Sequence, residues 1–213
     1  DNQDDCEEYN CFWYNETQIC SDWPACGWDT QGDCEEPSLC DEEIEVELWG
    51  ECYNIEETIS LNLSQSGLTG EIPAEIGDLI NLSYLNLHSN QLTGEIIPEI
   101  GNLINLTYLD LQNNQLTGQI PSEIGNLINL IFLHLNDNNL TGTIPGDICD
   151  LTIDWSGIWS TEYYQIPYFD IDNNNLCPYY PECLPEENIG GQDTSNCENE
   201  CPDSIEGDLN YDG

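Results

Sequence analysis

The sequence predicts an α/β repeat fold, with a strand and a short helical segment in each repeat and cysteine-rich segments toward both ends. Three observations predict this fold. A 24-residue unit recurs along the middle of the chain, with Leu61, Leu85, Leu109 and Leu133 at the same position in successive units. The leucines of each unit alternate with polar residues, as in a strand with one buried face. Twelve cysteines cluster toward the two ends.

The repeated unit is L-x-x-L-x-L-x-x-N-x-L-T-G-x-I-P-x-E-I-G-x-L-x-N. Its L-x-L core predicts the strand, and the proline of L-T-G-x-I-P excludes an ordinary helix or central strand at that point. E-I-G-x-L predicts a short helical or 3₁₀ segment that ends at its glycine. A degenerate copy begins at Phe169 after a 12-residue insertion. About three or more such units are needed for a stable stack, and this chain has four complete ones.

One asparagine of each unit is expected to point into the stack. Asn90, Asn114, Asn138 and Asn174 occupy this position, and Ser66 replaces it in the first unit. Buried backbone groups in turns need hydrogen-bond partners, and an amide side chain can donate and accept. The spacing therefore predicts an interior ladder of asparagines that begins weakly at Ser66.

The composition divides the chain into five predicted segments. These are a cysteine- and tryptophan-rich N-terminal arm at 1–43, an N-terminal cap at 44–58, four 24-residue repeats at 59–154, a degenerate repeat with a C-terminal cap at 155–184, and an acidic C-terminal tail at 185–213.

The charge of the chain excludes two classes of partner. The sequence has 43 acidic residues and no Lys or Arg, a formal net charge of −43. Nucleic acids and anionic membranes are polyanions and would repel such a chain. Membrane insertion is not expected, because no apolar run approaches 18 residues. High ionic strength or bound divalent cations would relieve the self-repulsion. We therefore expect an extracellular, saline or calcium-rich setting, with no cofactor except a candidate Ca²⁺.

The cysteines predict disulfides and hence an oxidising compartment. We expect a mature secreted chain from which a signal peptide has been removed. Seven cysteines precede the first repeat and five lie at or after the end of the fourth. Both counts are odd, so unless two thiols stay free, at least one bridge joins the two ends. That bridge would lie within a chain whose tail runs back, or between chains stacked head to tail. The disulfide candidates are Cys6, Cys11, Cys20, Cys26, Cys34, Cys40, Cys52, Cys149, Cys177, Cys183, Cys197 and Cys201.

Two short motifs predict modification and metal binding. N-x-[ST] sequons are candidates for N-glycosylation and occur at Asn15, Asn62, Asn81, Asn105 and Asn139. Asp208, Asn210 and Asp212 match the opening half of an EF-hand-like calcium loop. The bidentate acid that closes such a loop has no counterpart here.

The repeats resemble leucine-rich repeats of the plant-specific L-T-G-x-I-P class, which also occurs in bacterial extracellular proteins. The resemblance covers roughly residues 44–184. The stretch LWGECYNIEETISLNLSQSGLTG resembles a cysteine-bearing N-terminal cap and its first repeat, and Cys149, Cys177 and Cys183 resemble a disulfide-bonded C-terminal cap. The resemblance implies a right-handed solenoid with a parallel β-sheet on its concave side. It also implies binding of proteins, peptides or glycans, and rarely catalysis.

The residues that flank the strand leucines are expected on this concave face. An aromatic column there suits sugar rings or protein anchors, although aromatics also favour strands for their own sake. The chain has no G-x-S-x-G, H-E-x-x-H or phosphate-binding loop, so we predict no catalytic residues and no enzyme. The predicted binding residues are Tyr84, Tyr108, Phe132 and Tyr168, then Asn86, Asp110, His134 and Asp170, then His88 and Gln112.

Two functions follow from these features. The first is a non-catalytic structural subunit that assembles head to tail with copies of itself into an extracellular fibre or surface layer, as the odd cysteine counts favour. The alternative is a monomeric secreted recognition module that binds a protein or glycan on its concave face, as the aromatic column favours.

Overall fold

The computed structural model describes residues 12–14, 17–19, 40–41, 43–160, 165–185, 189–195 and 197. The chain divides into two compact units between residues 37 and 38. In the first unit the described residues form an antiparallel hairpin of β1 (Phe12–Tyr14) and β2 (Thr17–Ile19). All other described elements belong to the second unit.

The second unit alternates short strands with 3₁₀ helices. Its described strands are β3 (Glu45–Leu48), β4 (Glu51–Asn54), β5 (Ser60–Asn62), β6 (Thr69–Gly70), β7 (Tyr84–Asn86), β8 (Gln91–Leu92), β9 (Tyr108–Asp110), β10 (Phe132–His134), β11 (Ile158–Ser160), β12 (Gln165–Pro167) and β13 (Phe169–Asp170). Its 3₁₀ helices are η1 (Ala74–Asp78), η2 (Pro98–Asn102), η3 (Ser122–Asn126) and η4 (Gly146–Asp150).

The main sheet is parallel, as the resemblance to leucine-rich repeats implies. Five strands lie in the order β5, β7, β9, β10 and β13. Tyr84 pairs with Tyr108 and Phe132 pairs with Tyr108, so each strand is displaced by one whole repeat. Behind the sheet, the strand leucines join the isoleucines of the 3₁₀ helices in one continuous buried core. Each repeat therefore buries its apolar face against its neighbours.

The helical segments run one residue beyond the predicted end. Gly77, Gly101 and Gly125 lie inside η1, η2 and η3, and each helix continues to the next residue. A Cβ added to Gly125 would lie 2.5 Å from the backbone oxygen of Asp147 in the next repeat. Glycine is thus required by close stacking of the helices. Cys149 replaces this glycine in the last complete repeat, and the described residues stack no further helix on it.

The asparagine ladder is present and buried. Asn114 Nδ2 donates to the carbonyls of Leu87 and Leu111 at 3.0 and 3.1 Å, and its Oδ1 accepts the amide of Leu92 at 3.1 Å. Asn90, Asn138 and Asn174 make the same set of bonds one repeat apart. Each rung joins two repeats, because one carbonyl and one amide belong to the preceding unit.

A further rung that the sequence analysis did not predict closes the stack. Gln192 Nε2 donates to the carbonyls of Ile171 and Ile189 at 2.9 and 2.8 Å, and its Oε1 accepts the amide of Leu176 at 3.2 Å. This repeats the asparagine pattern with a longer side chain. Residues 189–195, which we assigned to the acidic tail, thus continue the stack.

The described disulfides pair within each end of the second unit. The bridges are Cys40–Cys52, beside the antiparallel hairpin of β3 and β4, then Cys149–Cys183 and Cys177–Cys197. Cysteines at both ends of the repeats thus form disulfides, as the resemblance implies. Cys6, Cys11, Cys20, Cys26, Cys34 and Cys201 lie outside the described residues, so a bridge between the two ends stays a prediction.

We expect Asn114→Ala to destabilise the chain by about 2–4 kcal/mol, because it leaves buried carbonyl and amide groups of two repeats without partners. Gln115→Ala changes the exposed neighbouring side chain and should alter the free energy of unfolding by less than about 0.5 kcal/mol. Denaturant unfolding of both variants, followed by circular dichroism, measures the difference. Equal small effects would contradict a structural role for the ladder.

Candidate functional site

Four aromatic rings form a column on the outer face of the main sheet, one on each of β7, β9 and β10 and the last at Tyr168, just before β13. Tyr84 and Tyr108 are stacked with ring centroids 4.5 Å apart and planes 13° apart. Phe132 lies 5.4 Å from Tyr108 and 4.8 Å from Tyr168, with tilted planes. The rings are half-buried. We call these four residues the ring column.

The polar residues beside the ring column are buried, which corrects the expectation that they point outward into solvent. Asp110 is 2% exposed and His134 is 3% exposed. The hydroxyl of Tyr108 donates to Asp110 Oδ2 at 3.0 Å, and Asn86 Nδ2 donates to the hydroxyl of Tyr84 at 3.2 Å. The rings cover these polar groups, so an incoming partner would meet the rings first.

Polar side chains at this position also accept a hydrogen bond at the ends of the strands. In four of the five strands, the side-chain oxygen of an Asn or Asp accepts the amide two residues later, at 3.0–3.2 Å. The residues are Asn62, Asn86, Asp110 and Asp170. His134 occupies the same position in β10 and lacks an oxygen, so the repeat is broken there.

His134 is placed to form an ion pair with Asp110 when its ring is doubly protonated. Its Nε2 lies 2.7 Å from the carbonyl oxygen of Pro167, which can only accept, so Nε2 carries a proton. Its Nδ1 then faces Asp110 Oδ2 at 3.9 Å, the length of an ion pair rather than of a hydrogen bond. A proton on Nδ1 as well would make that contact attractive.

The environments shift both groups toward their charged forms. Burial by itself would lower the pKa of His134, but Asp110 and the Pro167 carbonyl raise that pKa above its ordinary value. Burial would raise the pKa of Asp110, but the interactions with His134 and Gln112 lower it. Burial and the adjacent Asp110 carboxylate raise the pKa of the Tyr108 hydroxyl, which therefore stays protonated.

The remaining predicted binding residues lie along the same face. Gln112 Nε2 donates to Asp110 Oδ2 at 3.1 Å, and His88 Nδ1 lies 2.9 Å from the hydroxyl of Ser89. Asp170 lies beside Asp172 at the end of the sheet. Burial and repulsion from Asp172 and Asp137 raise the pKa of Asp170, although its hydrogen bond from the Asp172 amide and the nearby His134 act in the opposite direction.

The other predicted sites fall in different places. Four sequon asparagines, Asn62, Asn81, Asn105 and Asn139, are exposed. The amides of Asn81 and Asn105 donate to the carbonyls of the preceding repeats at 3.0 and 2.9 Å. Asn15 and the candidate calcium residues Asp208, Asn210 and Asp212 lie outside the described residues. Within the described ranges, Cys40, Glu45 and Cys52 have metal-ligand spacing, but the two sulfurs are joined in a disulfide.

The insertion places further residues beside the main sheet that the repeat pattern did not predict. Residues 154–167 include the antiparallel hairpin of β11 and β12, and Trp155 contacts Phe169 edge to face at 5.0 Å. Trp155 lies in the insertion that breaks the repeat, and this large aromatic residue could have marked the segment as part of a binding surface. Its position beside β13 could not be read from the periodicity, which the insertion interrupts.

The comparisons with known proteins agree with this geometry. A leucine-rich repeat family model matches residues 81–103, 105–127 and 129–151. The chain contains leucine-rich repeats. No curated protein sequence matches it. Among the described residues, no helix is long and apolar enough to cross a membrane.

Two crystal structures from Arabidopsis thaliana are similar to the chain over most of the repeats. A chain of the BIR3–SERK2 complex has 27% sequence identity and a TM-score of 0.52, with coverage of 67% of this chain and 69% of that one. The BIR2 ectodomain has 27% identity and a TM-score of 0.51, with coverage of 70% and 73%. The chain therefore has a leucine-rich repeat fold like that of these plant proteins.

We expect the His134–Asp110 pair to make stability depend on pH. The raised pKa of His134 stabilises the fold below the ordinary histidine value, and this contribution is lost as pH rises through the raised pKa. The lowered pKa of Asp110 stabilises it above the ordinary aspartate value, and this is lost as pH falls. The pair should thus stabilise most between about pH 4 and 6.5, by on the order of 1 kcal/mol relative to pH 8.

Denaturant unfolding of wild type, His134→Asn, Asp110→Asn and the double variant at pH 5 and pH 8 measures this coupling. Asparagine already occupies the same position at Asn86, so both variants carry a residue that the repeat accepts, and Asp110→Asn keeps an acceptor for the amide of Gln112. A coupling free energy that is the same at both pH values would refute the charged pair.

Proposed function

We propose that the chain is an extracellular, non-catalytic recognition module that binds a protein partner on the ring column. The observation that carries this proposal is the continuous row of half-buried aromatic rings on the main sheet. Aromatic side chains supply a large contact area at low entropic cost and dominate many protein interfaces. The similarity to a chain of the BIR3–SERK2 complex supports a protein as the partner.

An extracellular location is also part of the proposal. Three disulfides among the described residues and the similarity to an ectodomain support an extracellular location. Asp110 and His134, residue types common in catalytic sites, are buried beside the rings, face each other at ion-pair distance and form hydrogen bonds with neighbouring groups. This arrangement supports a binding role over a catalytic one.

Self-assembly into a fibre is a second proposal with less support. It rests on the odd numbers of cysteines at the two ends, seven and five. The described disulfides use two of the seven and four of the five, and each joins cysteines of the same end. The remaining cysteines lie outside the described residues. A gel run with and without reductant tests this proposal, because interchain bridges would give a ladder that collapses on reduction.

Selection of a phage-displayed random peptide library against the chain tests the recognition proposal. Peptides that bind wild type should lose affinity at least about tenfold for the variant Tyr84→Ser, Tyr108→Ser, because central aromatic anchors contribute most of the binding energy. Serine already occupies this column in β5, at Ser60, so the variant keeps a residue that the repeat accepts.

The matched control is Ile80→Ser, Ile104→Ser, which removes two exposed apolar side chains away from the ring column. Its peptide affinity should stay within about twofold of wild type. Equal losses in both double variants, or selected peptides indifferent to both, would contradict recognition by the ring column.

A further inference from the structure

The insertion after the fourth repeat creates a cavity at the end of the ring column. The cavity has a volume of about 280 Å³ and lies between the β11–β12 hairpin and β13. Trp155, Ile158 and Phe169 form its apolar wall, and Asp170 and Asp172 supply carboxylates. It adjoins the ring column directly, because the amide of Tyr168 donates to the carbonyl of Gly157 in the cavity wall at 3.1 Å.

Each carboxylate in this cavity has one oxygen in use and one open. Asp170 Oδ1 accepts the amide of Asp172 at 3.0 Å, and Asp172 Oδ1 accepts the amide of Gly191. Within the described part of the chain, no donor reaches the Oδ2 atom of either residue. Two neighbouring, partly exposed carboxylates therefore each present an open oxygen beside an apolar wall. Burial and the charges of Asp172 and Asp137 raise the pKa of Asp170.

The chain offers Asp170 no cationic side chain beyond His134, which acts on it from beside Asp110. It contains no Lys and no Arg, and two His. His134 is the closer in the sheet, but its Nε2 contacts the Pro167 carbonyl and its Nδ1 faces Asp110. Buried carboxylates are stabilised by an opposite charge with hydrogen-bond donors. A cation that fills this cavity must come from outside the chain.

The walls of the cavity favour an organic cation over a metal ion. Calcium requires six to eight oxygen ligands, and much of this cavity is lined by Trp155, Ile158 and Phe169. A guanidinium or ammonium group donates to carboxylate oxygens and is attracted by aromatic faces. The aliphatic stem of Arg or Lys would pack on the apolar wall.

We infer that this cavity binds a cationic side chain, Arg or Lys, of the protein that contacts the ring column. The inference rests on the proposed recognition function and names the chemistry of the partner, a basic segment. The regular repeats present rings to a partner, and the insertion adds selection for positive charge at one end of that row.

A chemical-shift titration of the ¹⁵N-labelled protein with acetyl-Gly-Arg-Gly-amide tests the inference. In about 0.15 M salt the screening length is about 8 Å, which suppresses attraction by distant charges. Saturable shifts should appear at Trp155, Gly157, Asp170 and Gly190. The peptide with neutral citrulline in place of arginine should bind at least about tenfold more weakly, since it keeps the shape and loses the charge.

The variant Asp170→Asn, Asp172→Asn should weaken binding of the arginine peptide at least about tenfold. Asparagine occupies the equivalent positions at Asn86 and Asn136, and the amide oxygens can still accept the two backbone bonds. The variant Glu75→Gln, Asp78→Asn makes the same change in net charge on η1, at two exposed positions, and should leave binding within about twofold.

Three results would overturn the inference: equal binding of the citrulline peptide, equal losses in both charge variants, or displacement of the arginine peptide by an equal concentration of calcium chloride. Peptides from the phage selection distinguish a failure of this inference from a failure of the proposed function. A peptide that loses affinity for the ring-column variant and keeps it for Asp170→Asn, Asp172→Asn would retain the ring column as a binding surface and exclude the cationic cavity.

Discussion

The fold depends on the buried amide side chain that joins each repeat to the one before it. A strand three residues long cannot satisfy the turn that follows it, and no water reaches the backbone there. Asn114 supplies two donors and an acceptor to groups of two repeats at once. The bonded groups lie 22 and 27 residues away in the regular repeats and 34 and 39 residues away at Asn174, so the ladder continues across the insertion. The apolar core contributes most of the stability, and the ladder determines the register in which that core forms.

The constant register also determines how side chains are arranged on the outer face of the sheet. Side chains at one position of successive repeats meet at the strand spacing of about 4.8 Å, so like residues stack on like. Tyr84 and Tyr108 show this in their parallel rings. A face built this way is uniform along its length and discriminates little between partners. Selectivity requires departures from the repeat, and β10 and the insertion before β13 provide them through His134 and the cavity around Trp155.

The periodicity of the sequence was enough to predict the strands, the leucine core and the asparagine ladder, because each depends on spacing alone, whereas the parallel sheet was expected from the resemblance to leucine-rich repeats. Burial of Asp110 and His134 was not predicted. Alternation places them on the outer face, but the tilt of the neighbouring rings decides whether solvent reaches them. Gln192 was also missed, since its rung uses a longer side chain in a segment with a polar, acidic composition. The cavity depends on how an irregular insertion packs, and periodicity carries no information about that.

Because the chain has no Lys or Arg, its stability depends little on ion pairs. Its core is apolar, its ladder is neutral, and the ion pair found among the described residues is the one between His134 and Asp110. Surface carboxylates therefore need no internal partner for the chain to fold, and their repulsion is relieved by salt or by whatever cation binds. Substitutions such as Asp170→Asn should then alter the choice of partner more than the free energy of unfolding. A fold organised by uncharged contacts can carry a face of one sign, and a face of that sign would favour a basic partner.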